Sequence, residues 1–155
     1  MPHIPEDTDP QQWHKYFAME CNNRAWELAV TARTAEEDQE MLNAAHASAL
    51  HWASIKVELN NMRAKMLLAE VHALLGLGAS ALTYAEAVLA YFTNRETDDW
   101  ELAYAYTIHA HAAATAGETQ LHKTSYAAAV KALAAIADDE DREIVLQTFR
   151  QLPHP

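Results

Sequence analysis

Asn60–Asn94 reads NNMRAKMLLAEVHALLGLGASALTYAEAVLAYFTN, and its two halves differ in a way that decides the fold. From Met62 to Leu75 the apolar residues (Met62, Ala64, Met66, Leu67, Leu68, Ala69, Val71, Ala73, Leu74 and Leu75) fall on almost every side of a helical wheel. A helix of that kind must be covered on most of its surface. Gly76-Leu77-Gly78-Ala79-Ser80 then offers a turn of small residues. The return half carries a narrower stripe, Ala81, Leu82, Ala85, Val88, Leu89 and Phe92, which is the pattern of a helix with one buried side. The stretch therefore predicts an antiparallel helical hairpin at the centre of the molecule.

The flanking chain repeats this reading. Residues 1–9 are expected to form a flexible arm, and residues 10–153 a single helical domain. Asp9 is placed to cap a first helix with Pro10 at its first position and Gln12 at capping-box spacing; the stripe that follows is Trp13, Phe17, Cys21, Ala25, Leu28 and Ala32. Thr34 and Glu37 are spaced for a reciprocal capping box ahead of a second helix. Asn60 or Asn61 is the expected cap of the third helix, and Ser80 is expected to help start the fourth. Asp98 and Glu101 stand at capping-box spacing for the fifth, which Gly117 ends. Thr119 opens the sixth, and Asp138 or Asp139 opens a last helix that stops before Pro153. No segment alternates as a strand would, so the expected class is all-α with seven helices.

Composition agrees with helix. Only three of 155 residues are Gly, and none of the five Pro lies between positions 11 and 152. Eleven basic against twenty-two acidic residues give a formal charge of −11, which argues against a nucleic-acid partner and against an anionic membrane surface. The sole cysteine, Cys21, excludes an intrachain disulfide and is expected to be a buried, inert thiol. With no apolar run of spanning length and no secretory leader pattern, the expected location is cytoplasmic.

Weak self-similarity runs through the chain. Arg24-Ala25 recurs as Arg63-Ala64 at an offset of 39, and Val71-His72-Ala73 followed by Gly78 recurs as Ala110-His111-Ala112 followed by Gly117. Ala45 to Trp52 matches Ala85 to Phe92 at 40. On Ala69, His72, Gly78, Ala81 and Ala85, with Gly117 and Tyr126, the chain resembles the tetratricopeptide-repeat superfamily over roughly residues 10–137. It departs from the family's pattern in its longer helices and in lacking the early Trp and terminal Pro of each repeat. The resemblance implies three antiparallel hairpins and a C-terminal capping helix stacked as an α-solenoid; the alternative is a closed helical bundle.

The resemblance also implies that the first helix of each hairpin lines a concave face. The 39-residue offset would place Arg24, Glu27 and Thr31, then Arg63, Met66 and Glu70, then Leu102, Ala105 and His109 on it. Arg24, Arg63, Glu70 and His109 would share a groove suited to a peptide or an acidic tail, since a guanidinium grips a carboxylate by paired hydrogen bonds. The expected function is thus a protein- or peptide-binding interaction module with no cofactor and no catalytic residue. The alternative is a small helical enzyme or metal-binding protein built from the nine histidines. No His-Glu-x-x-His occurs, so such a site would be assembled between helices from His46, His72, His109 and His111. Self-association is a third expectation, because a short solenoid leaves end faces to cover.

Overall fold

The computed structural model describes residues 8–155. The expected arm over 1–9 falls almost wholly outside these. The described residues form seven α-helices and no strand: α1 (Pro10–Ala29), α2 (Ala35–Ile55), α3 (Glu58–Leu74), α4 (Gly78–Thr93), α5 (Asp99–Thr115), α6 (Thr119–Ala135) and α7 (Asp139–Phe149).

The caps explain most of these boundaries. The Asp9 side chain accepts from the Gln11 amide with Pro10 next to it. Thr34 and Glu37 form the reciprocal box, and Asp138 accepts from two amides at the start of α7. Three expected caps are not used. Helix α4 begins at Gly78, ahead of Ser80, with no side-chain cap. Helix α3 begins earlier than Asn60, at Glu58 after Val57, with no side-chain cap. Asp98 makes no capping bond either, and the Glu101 carboxylate turns to Arg63 on α3. Gly76 and Gly117 take φ of +74° and +78°, the left-handed conformation that closes a helix cheaply only at Gly.

Consecutive helices pack as hairpins, and the odd-numbered ones also touch in sequence: α1 on α3, α3 on α5, α5 on α7. One core cluster joins α1, α2 and α3 around Met41, Leu67 and Val71; the other joins α3 to α7 around Phe92, Ile108, Ile136 and Val145. Helix α3 belongs to both, which is why its sequence is apolar all round. Helix α5 is as deeply buried, although its sequence is small and polar rather than greasy. Ala103, Ala105, Ala110, Ala112 and Ala113 are all inaccessible, so neighbouring backbones approach closely there. The segment after α7 is tied back to the end of α1, where Gln151 donates to the Ala29 carbonyl.

The tightest approach is at Gly78, the first residue of α4. A β-carbon built there would lie 2.6 Å from the Thr115 carbonyl oxygen and 2.7 Å from the Ala116 backbone. Both obstacles are main chain and cannot rotate away. Gly78→Ala is therefore expected to cost about 1–3 kcal/mol by urea denaturation, despite the better helix propensity of Ala. A neutral or stabilising result would mean that α4 and the end of α5 are further apart than described.

Candidate functional site

The faces that the odd helices turn towards one another carry two cross-helix charge pairs and a buried hydroxyl pair. On α3, Arg63, Met66 and Glu70 follow at helical spacing; on α5, Trp100, Tyr104, Thr107 and His111 do the same. Two charge pairs bridge these faces. Arg63 donates to Oε1 of Glu101 at 2.7 Å through Nε and 2.6 Å through Nη2, and lies 5.3 Å from the centre of the Trp100 ring. Further along, Nδ1 of His111 lies 3.0 Å from both oxygens of Glu70, whose side chain is fully buried. Burial alone would lower the His111 pKa, but the adjacent Glu70 carboxylate outweighs it and the net direction is upward. Between them the Tyr104 hydroxyl bonds Thr148 of α7 at 2.8 Å, and burial pushes that phenol upward and keeps it neutral. The buried Thr107 hydroxyl has no partner among the described residues.

At the open end of these faces lies a cleft of about 550 Å³. The lining residues come from the odd-numbered helices or their caps: Asn22, Asn23, Trp26 and Glu27 from α1 with Val30 at its C-cap, Arg63 and Met66 from α3, Trp100 and Tyr104 from α5, Ile144 and Gln147 from α7. Trp26 stands against Tyr104 with ring centres 5.1 Å apart. The walls are mostly aromatic and aliphatic. The polar groups are three side-chain amides, one guanidinium already held in place by Glu101, and Glu27, which is tied to Arg24 at 3.0 Å. Such a lining suits an apolar side chain flanked by polar main chain.

The structure keeps part of the expected groove and rearranges the rest. Glu27, Arg63 and Met66 line the cleft, Met66 by its edge alone since it is 2 % exposed. Arg24 turns instead towards α2, where it bonds Glu40 at 2.7 Å. Glu70 shares the inward face of α3 but is buried against His111 rather than open to a ligand. His109 is also buried, on the side of α6, with Nδ1 2.7 Å from Ser125 Oγ. The cause is a register error. Arg63 and Met66 face Trp100 and Tyr104 of α5, offsets of 37 and 38 rather than 39. At about 100° per residue a slip of one or two positions turns a helix side away, so Leu102, Ala105 and His109 lie off the cleft lining.

The histidines do not converge on one point. His46 pairs with His72, His109 with Ser125 and His111 with Glu70. Among the described residues no three His, Cys, Asp or Glu side chains are grouped as metal ligands would be. They act instead as cross-helix hydrogen-bonding groups: His14 of α1 with His51 of α2, His46 of α2 with His72 of α3, and His122 of α6 with the Pro153 carbonyl. Cys21 is half-buried rather than buried, and desolvation, aided by Glu20, pushes its thiol pKa up.

No described helix is long and apolar enough to cross a membrane. The chain matches no family model, no curated protein and no solved structure.

Proposed function

We propose that the chain is a non-catalytic interaction module, with hairpins stacked in the tetratricopeptide manner, that binds a short segment of another protein in the cleft between α1, α3, α5 and α7. The observation that carries this reading is the cleft's composition. Trp26, Trp100 and Tyr104 come together from two helices, with Met66 and Ile144 and the amides of Asn22, Asn23 and Gln147 completing the lining. Large aromatic anchors beside amides suit a bulky apolar side chain whose flanking peptide groups need hydrogen bonds. The contacts of α1 with α3, α3 with α5 and α5 with α7 support the stacked arrangement.

Arg63 gives the cleft a preference. Its Nε and Nη2 are committed to Glu101 and it lies near Trp100, so it is held in place while its side chain stays partly exposed. The preferred peptide carries an aromatic or large aliphatic residue next to an acidic one. Selection from a random peptide library, followed by calorimetry, tests this. Trp26→Ala is expected to weaken the selected peptide by at least about tenfold, because truncating a buried aromatic anchor costs about 2 kcal/mol or more. Leu50→Ala, on an exposed position of α2, is expected to leave binding unchanged. Equal affinities for the two variants would move the binding surface elsewhere.

A further inference from the structure

Two imidazole pairs fasten α2, one on each side. Nδ1 of His14 and Nδ1 of His51 are 2.8 Å apart across the α1–α2 seam; Nε2 of His46 and Nε2 of His72 are 3.1 Å apart across the α2–α3 seam. The ring centres lie 5.1 and 5.3 Å apart, so in each pair the nitrogens point almost straight at one another. That is the alignment of a shared N–H···N hydrogen bond, and it needs one nitrogen to be unprotonated.

The proton positions of the second pair follow from its neighbour. Ser80 Oγ donates to the Leu77 carbonyl, so it must accept from Nδ1–H of His72 at 2.6 Å. Nε2 of His72 is then the bare acceptor, and Nε2–H of His46 the donor. Any proton taken up by His72 must land on the one nitrogen that holds α2 to α3. It would then set two N–H donors face to face with no acceptor between them.

The groups facing these rings offer no compensation. Around His72 they are His46 from α2 and Ser80 and Tyr84 from α4, with no charged contact from α1 or α5 among the described residues; around His51 they are His14 and Phe17 from α1. Burial and then the partner imidazole hold both His51 and His72 below the usual histidine range. A folded-state value below the unfolded one gives stability that is complete above the unfolded pKa, about 6.5, and is lost as pH falls below it. His111 has the opposite sign. Its raised value, set against burial by Glu70, makes the α3–α5 contact strongest in acid.

We propose that mild acid loosens α2 from both its neighbours while α3 and α5 stay locked, and so withdraws the support behind the α1 wall of the cleft. The α1 wall supplies Asn22, Asn23, Trp26, Glu27 and Val30, so the cleft opens and releases its occupant as pH falls below about 6.5. The release step rests on the peptide-binding reading; the loosening itself does not.

Hydrogen exchange read by mass spectrometry, on the full chain without ligand, tests the loosening. Rates at about pH 5.5 and about pH 7.5 are compared after correction for the intrinsic pH dependence of exchange. Amides of α2 are expected to exchange on the order of tenfold faster in acid, and those of α5 to change less than about twofold. In a His46→Ala/His51→Ala variant the acid response of α2 is expected to vanish. Should that double variant fail to fold, His46→Ala alone removes an exposed ring, and the response is then expected at the α1–α2 seam only. Uniform acid acceleration across α2 and α5, no acceleration at all, or an acid response that survives the double substitution would overturn the proposal. Because no peptide is present, a failure here is distinct from a failure of the cleft to bind.

Discussion

His111→Ala is expected to cost about 3–5 kcal/mol of folding stability, the range for breaking a buried charge pair by removing one partner. Glu70 has no accessible surface, and His111 is the partner that meets both of its carboxylate oxygens. Without the imidazole the carboxylate is left in the interior between α3 and α5 with no counter-ion. The raised His111 pKa means that the pair's contribution is complete below the unfolded value of about 6.5 and is lost as pH climbs through the folded value. The deficit of His111→Ala should accordingly be at its full size near about pH 6 and should shrink as pH rises. Urea midpoints measured from there upward check both the size and the slope. Adding Glu70→Gln removes the orphaned charge and is expected to recover much of the loss. A deficit under about 1 kcal/mol, or one that grows as pH rises, would mean that water reaches Glu70 and that the pair is not the interior link between the two helices.

Phe92→Ala is expected to be equally damaging, for a different reason. Phe92 is the largest fully buried side chain and sits near the end of α4, in the core cluster that joins α3 to α7. Truncation removes the transfer free energy of a benzyl group and leaves a cavity whose walls, helices fixed by their own packing, close only in part. The cost is about 3–5 kcal/mol, which for a domain of this size lowers Tm by roughly 10 °C. Calorimetric scans against Leu50→Ala, which truncates a side chain 68 % exposed and is expected to change stability by less than about 0.5 kcal/mol, give the comparison. Similar Tm values for the two variants would contradict the placement of Phe92.

The all-helical class was legible because it rests on local signals: the all-round apolar wheel of α3, the Thr34–Glu37 box, and Gly76 and Gly117 at positions of positive φ. What the sequence hid was the face each helix presents. Helix α5 is as buried as α3, yet its residues are Ala, Thr and His, and nothing in periodicity says that His109 and His111 are buried because Ser125 and Glu70 lie opposite. The same blindness affected the cleft. The offset of 39 selects Leu102, Ala105 and His109 and passes over Trp100 and Tyr104; the bond between Arg63 and Glu101, 38 positions apart, is the contact that fixes the true register. The spacing of Glu101 from Asp98 suits a local capping box, and the choice between that role and a partner on α3 is made only by tertiary packing. Conversely, Trp13 and Phe17 read as a buried stripe on α1, but they are half exposed because the buried residues of α1 lie at Ala18, Ala25, Leu28 and Ala29.

The central claim is that the cleft walled by the odd helices is where this chain meets its partner, and the most direct measurement is a nuclear magnetic resonance footprint of a library-selected peptide. The side-chain amides of Asn22, Asn23 and Gln147, the indole N–H groups of Trp26 and Trp100 and the Arg63 Nε–H are all individually observable in one titration. The expected result is that these signals shift together, with a single saturation curve, while the indole of Trp52 on α2 stays in place. A footprint on α2, α4 or α6 with the cleft signals unmoved would contradict the proposal.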